Sequence, residues 1–227
     1  AVYVILGYDI NGNKDILGLW INETEGKHTW MQIFDEIRSR GVQDVGFISM
    51  DGVSGLEEGA RSIFPGTVVQ RCIVHLIRNS LRYIPWNRSR EFVRELKQIY
   101  RAVNAAEARR LFNSFKDKWS QYPGAIAVWE RNFVHVEQLF NYGPAVRRVM
   151  YTTNAIESVN SSFRKVTKRG SFPNDEAVMK VFYLRILELE KKKRKGKGHV
   201  ANWSDVRNQL LIDERMGKLI AKYDELN

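Results

Sequence analysis

The sequence predicts an α/β chain: a mixed sheet flanked by helices and interrupted by a long helical stretch. Three observations carry this reading. Strand-like and helix-like segments alternate through the first 80 residues, which implies a mixed sheet with helices on its faces. From residue 85 to 145 the apolar spacing is helical throughout. Apolar residues make up 44% and aromatics 11% of 227 residues, enough to bury a core of domain size. No apolar run approaches the ~18–20 residues that a membrane span needs, and no signal peptide is visible. A single cysteine excludes an internal disulfide framework and suits a reducing compartment. The chain begins with Ala1 rather than Met, inside a strand-like run, and is read as a piece of a longer protein.

The elements follow in order. Residues 1–8 (AVYVILGY) are rich in β-formers, Asn11-Gly12 signals a hairpin turn, and residues 15–21 (DILGLWI) resume the strand. Thr29 with Gln32 forms a capping box for a helix that Gly41 closes. Residues 45–50 (VGFISM) form a short apolar run, read as a buried strand that ends at Asp51-Gly52. Ser54 with Glu57 repeats the capping signature for a helix to about Phe64. Residues 67–71 form a short β-branched strand, and the chain turns helical from Cys72. Phe92, Leu96, Ile99 and Val103 then recur at helical spacing. Asn104 with Glu107 starts a further helix bearing Leu111, Phe112, Phe115 and Trp119, and residues 128–140 read as a third. A helix from Asn154 to Lys168 precedes Pro173, and a very apolar helix runs from Glu176 to Leu189. The run KKKRKGKG at 191–198 is read as a solvated linker or arm. No internal repeats are present.

Charge is informative by segment. The total is +10, yet residues 1–70 hold 5 basic and 10 acidic groups. Residues 71–110 carry +7, residues 111–146 balance, residues 147–198 carry +9 and the remainder −1. Two basic stretches behind an acidic front point to an anionic polymer as partner.

Two carboxylates stand out. Asp51 closes a buried strand and is followed by glycine, where open α/β sheets place their sites, although Asp-Gly is also ordinary turn chemistry. In TTNAIESVNSSFRKVTK, Ile156, Val159, Phe163 and Val166 form a buried stripe. Asn154, Glu157, Ser161, Arg164 and Lys168 share another face. That face offers a carboxylate suited to a metal and cations suited to phosphates; the bland alternative is a solvated surface with one weak Glu–Arg pair. Cys72 and His75 lie three apart at a strand-to-helix junction. Two ligands are too few for structural zinc, so a buried structural pair is favoured over a nucleophile with its base. Trp119 and Trp129 fall on apolar stripes, where core packing is the stronger reading. The phosphate-loop, dinucleotide, zinc-protease and serine-hydrolase motifs are absent, so no nucleotide cofactor is expected.

The strings GYDINGNKDILGLW, ISMDGVSGLEEGARSIFPGTVVQRCIVHLIRNSLRYI and YTTNAIESVNSSFRK resemble the Mutator-like transposases of bacterial insertion sequences across essentially the whole chain. The resemblance implies an RNase H-like mixed sheet flanked by helices, with an all-helical insertion before the last catalytic helix. In these terms residues 1–84 are the first part of the core, 85–146 the insertion, 147–190 the closing helices, and 191–227 a basic linker with a C-terminal helix. It also implies a DDE triad using two Mg²⁺ (or Mn²⁺) ions. Asp51 matches the second Asp and Glu157 the Glu; Cys72 and His75 match a supporting C-x-x-H signature, with Asn154 beside the Glu. The first Asp lies upstream of the opening hairpin. Asp9 is part of the hairpin turn and matches a non-catalytic position, so the fragment is expected to bind DNA without cutting it. Arg164, Lys165, Lys168 and Arg169 are the foremost expected phosphate contacts, followed by Arg78 and Arg82 and then by Arg88 and Arg90. The resemblance further implies double-stranded DNA as partner, a homodimer and a bacterial cytoplasmic, nucleoid-associated setting. The apolar helix at 176–189 is a weak candidate for the dimer face. The competing readings are a DNA-binding or dimerisation module, inert without the first Asp, and a structure-specific nuclease.

Overall fold

The computed structural model describes residues 2–22, 26–52, 55–151, 154–168, 171–192 and 198–226. The opening alternation is the one the chain adopts. Val2–Tyr8 (β1) and Lys14–Ile21 (β2) precede Lys27–Ser39 (α1), and Phe47–Met50 (β3), Leu56–Ile63 (α2), Val68–Arg71 (β4) and Ile73–Leu81 (α3) follow. The helical stretch comprises Trp86–Tyr100 (α4), Ala105–Lys118 (α5), Pro123–Glu130 (α6), Phe133–Gln138 (α7) and Pro144–Tyr151 (α8). Asn154–Thr167 (α9), Asp175–Lys192 (α10), Trp203–Ile212 (α11) and Glu214–Asp224 (α12) complete the chain. The protein is thus mixed α/β with small sheets flanked by helices. Among the described residues the strands form two two-stranded sheets, β1–β2 antiparallel and β3–β4 parallel. No helix among them is long and apolar enough to cross a membrane.

Two compact units divide the chain. The first holds residues 1–46, 54–66 and 153–227, the second residues 47–53 and 67–152. In the first, the β1–β2 hairpin closes on Asp9. Its Oδ1 accepts from the N–H groups of Asn11 at 2.9 Å and Asn13 at 2.8 Å, and its Oδ2 from Asn13 Nδ2 at 2.9 Å. The carboxylate is spent on holding the turn. Val159 and Phe163 of α9 and Phe182 and Ile186 of α10 form a buried cluster against Val4, Leu6, Ile16 and Leu19 of the hairpin. Tyr183 and Leu184 of α10 are exposed, so this helix is half-buried rather than enclosed all round. In α12, Arg215 donates to the carbonyls of Gly66 and Gly46.

In the second unit, Phe92, Leu96, Ile99, Phe112, Phe115, Trp119 and Trp129 are buried. Each indole N–H of the two tryptophans is satisfied, Trp119 by Glu95 at 2.9 Å and Trp129 by Ser80 Oγ at 3.1 Å. Both are core residues. Asn104 caps α5 as its spacing predicts, accepting from the Glu107 N–H at 2.8 Å.

Several local expectations fail for identifiable reasons. Helix α1 starts at Lys27 behind an extended Gly26, so Thr29 lies inside the first turn and not at the N-cap. Helix α4 stops at Tyr100, because Arg101 leaves the helical conformation, and Val103, one turn further along the apolar pattern, is 80% exposed. The helix read over 128–140 is broken at Arg131 and Asn132 into α6 and α7. Ser54 and residues 193–197 of the basic run lie outside the described residues; α2 has Gly55 at its N-cap.

Candidate active site

Asp51 leaves the sheet at the C-terminal end of β3. The parallel register sets Met50 opposite Arg71, and the Cys72 N–H donates to the Met50 carbonyl at 2.7 Å, one residue past β4. Helix α3 begins at once, and its third residue is His75. The imidazole Nε2 stands 3.5 Å from Asp51 Oδ2, and both side chains are 40% exposed. A carboxylate and an imidazole therefore face each other at the open end of a parallel strand pair, the position where α/β proteins collect functional groups.

Backbone geometry supports this placement. Gly52 adopts φ +84°, where a side chain is strained. A Cβ there would also lie 2.5 Å from Arg71 Nη1, so the guanidinium is packed directly against the backbone that follows Asp51. Gln70 is buried, and its Nε2 donates to the carbonyls of His135 at 2.8 Å and Arg71 at 3.1 Å, tying the end of β4 to α7. Nothing in the sequence singles out Arg71. Its role depends on the strand register, which no local motif encodes.

Cys72 and His75 do different work. The Cys72 thiol is buried, and burial pushes its pKa up, outweighing the N–H groups of His75 and Val74 that favour the thiolate. A buried thiol whose charged form is disfavoured in this way suits packing at the strand-to-helix junction. The carboxylate of Asp51 is a hard oxygen donor open to solvent, a fit for Mg²⁺, which takes one or two carboxylates and keeps several waters. Among the described residues no three His, Cys, Asp or Glu side chains cluster as a metal site.

Glu157 belongs to the first unit, in the opening turn of α9, where it is half-buried. Val159 and Phe163 anchor the helix to the core, with Ile156 and Val166 half-buried. Its outer side presents Ser161, Arg164, Lys165 and, just beyond the helix, Lys168, all exposed. The cations of Arg164, Lys165 and Lys168 have no ion-pair partner among the described residues. Asn154 heads α9, but its side chain and the whole of Arg169 lie outside the described residues.

On α3, Arg78 and Arg82 are exposed and follow His75 at i+3 and i+7, so the three share a face. Arg90 is exposed as well. Arg88 departs from expectation: it pairs with Glu91 at 3.1 Å and lies 4.4 Å over the Trp119 ring, a structural commitment that removes it from the phosphate-binding set.

Residues 1–195 match the family described as Transposase, Mutator family. The chain is 41% identical over 215 residues to a transposase for insertion sequence element ISRM3 of Rhizobium meliloti (strain 1021), covering 93% of this chain and 53% of that protein. It is 38% identical over 196 residues to a probable transposase for an insertion sequence element of Corynebacterium diphtheriae, covering 85% and 57%. A transposase for IS256 in transposon Tn4001 of Staphylococcus aureus is 28% identical over 194 residues, covering 83% and 49%. The chain thus spans about half the length of the curated relatives it matches. With its strand-end carboxylate, C-x-x-H junction and cation-lined helix, this chain belongs to the Mutator family of transposases.

Proposed function

We propose that the chain is the catalytic part of an insertion-sequence transposase of DDE type with an RNase H-like core, cutting and joining DNA strands at the element's ends. The observation that carries this reading is Asp51, a solvent-accessible carboxylate at the end of a parallel strand, 3.5 Å from His75. Cleavage and joining are displacements at phosphorus, with water or a 3′-hydroxyl as nucleophile. Asp51 and Glu157 are each carboxylates that would ligate Mg²⁺ or Mn²⁺, and such an ion would supply charge stabilisation to the attacking and leaving oxygens. His75 orients the Asp51 carboxylate, and Arg71 braces the backbone behind it through Gly52. Arg164, Lys165 and Lys168, with Arg78 and Arg82 as a second set, neutralise phosphates of the bound strands and fix their register. In this reading the first Asp of the triad comes from a strand that precedes β1.

The test is a strand-cleavage and strand-transfer assay with Mg²⁺ or Mn²⁺ on DNA carrying the element's ends. It compares this chain with one extended upstream through the preceding strand. The extended chain is expected to cut and join, and Asp51→Asn and Glu157→Gln to abolish both while DNA binding persists. An extended chain that binds DNA but does neither overturns the catalytic reading in favour of a binding module. Cutting without joining would make it a nuclease.

A further inference from the structure

The chain has six tryptophans, and five of them are buried or half-buried. Trp20 donates to Glu36, Trp119 to Glu95, Trp129 to Ser80 and Trp203 to the Ile10 carbonyl, while Trp30 packs against Phe34 and Tyr3. Trp86 is the exception. It is 89% exposed, the most exposed large apolar side chain among the described residues. Its backbone is nonetheless held firmly: Ile84 is buried, Pro85 fixes the chain at φ −58°, and Trp86 opens α4. Three residues before it, Tyr83 is 53% exposed, with its ring laid on Gly124, where a Cβ would come within 2.6 Å of Cδ1. This is a rigid elbow that displays an aromatic face.

Its surroundings define what that face suits. His75, Arg78 and Arg82 form a stripe along α3 that starts at Asp51 and ends at this elbow, and Arg90 follows one turn into α4. Arg82, Arg90 and Trp86 are all exposed, and neither arginine has an ion-pair partner among the described residues. An exposed indole next to unpaired guanidinium groups complements a ligand with phosphates and a flat π-face, which is a nucleic-acid strand with an unpaired base. An apolar protein partner would cover the indole and leave Arg82 and Arg90 unanswered.

We infer that Trp86 is a base-stacking platform, on which an unpaired base of a DNA strand tracking along Arg78 and Arg82 from the Asp51 end of α3 comes to rest. This rests on the reading of the chain as a DNA-processing protein, and the test separates the two. The affinity of the full chain is measured in metal-free buffer for a blunt duplex and for the same duplex with a short single-stranded end. Wild type, Trp86→Ala and Trp86→Phe are compared, with circular dichroism confirming the fold. Wild type should prefer the unpaired end, and Trp86→Ala should lose about 5- to 100-fold on that DNA only, as expected for one stacked base. Blunt-duplex affinity and salt dependence should be unchanged, and Trp86→Phe should keep most of the preference. If Trp86→Ala binds both DNAs as wild type does, the stacking platform is overturned and DNA binding stands. The platform is overturned equally if the substitution alters only the oligomeric state. If wild type binds neither DNA, the reading beneath it fails instead.

Discussion

Helices α5 and α9 have the same length, 14 residues, and the same plan: an apolar stripe on one side and cations on the other. They differ in what answers those cations. Every Lys and Arg of α5 meets a carboxylate: Arg109 meets Glu137, Arg110 meets Glu107, Lys116 meets Glu130, and Lys118 meets both Glu91 and Glu95. Arg164 and Lys165 of α9, with Lys168 behind them, meet none among the described residues. A helix whose cations are all answered, mostly by carboxylates of neighbouring helices, is a structural part. One that leaves three charges to solvent behind Glu157 keeps them available, which is why the proposed phosphate contacts are assigned to α9 and not to α5. Cation counts alone do not separate the two cases; ion pairing does.

The largest effects test whether the two helices are equally structural beneath their surfaces. Phe112 is stacked on Phe133 at 4.3 Å, and Phe163 meets Phe182 edge-on at 4.5 Å. Phe112→Ala and Phe163→Ala should each cost about 3–5 kcal/mol in urea unfolding, since both empty a filled core position. A much smaller loss for Phe163→Ala would mean that α9 is a loosely docked arm, and the comparison with α5 would collapse.

Next in size is the surface itself. Changing Arg164, Lys165 and Lys168 together to Ala should flatten the slope of log affinity against log salt by about 2.7, at ~0.9 per lost phosphate contact. The matching change of Arg109, Arg110 and Lys116 should leave that slope within error, because those cations are already answered. Equal effects of the two triples, read by fluorescence anisotropy on duplex DNA over a salt series, would erase the distinction.

Asn104→Ala is expected to cost about 1 kcal/mol by removing the α5 cap, read as a lower unfolding midpoint. That cap was legible because it is local: an Asn and a Glu three residues apart suffice. So were the strand–helix alternation, the Asp51 turn and the apolar stripe of α9, each encoded within a dozen residues. What escaped depends on distant partners. Arg71 reaches the backbone after Asp51 only because β3 and β4 pair in one register. Arg88 resembles a phosphate ligand until Trp119, 31 residues on, is seen beneath it. Thr29 carries a capping signature, yet the chain enters the helix two residues earlier, and a local motif cannot report that. Trp86 is indistinguishable in sequence from the buried tryptophans, since exposure belongs to the fold.

The smallest effect tests whether pairing is confined to the second unit. It is not: in the first, Asp44 accepts from Lys222 Nζ at 2.6 Å and from the Tyr223 hydroxyl at 2.8 Å, holding α12. These two hydrogen bonds, from Lys222 first and Tyr223 second, hold the Asp44 carboxyl below its ordinary pKa. A depressed carboxyl pKa gives stability that is fully present above the unfolded value of about 3.9 and lost as pH falls through the lower folded value. More than a third of the Asp44 side chain reaches solvent, so screening limits the contribution to about 0.2–1 kcal/mol. Asp44→Asn should therefore lower the melting temperature slightly at pH 7, and the gap to wild type should close below about pH 4. It should also leave Lys222 as unanswered as Lys168. If the salt dependence of DNA binding then steepens, a cation without a partner is enough to recruit phosphate; if it does not, the placement of the cations on α9 behind Glu157 matters as much as their charge.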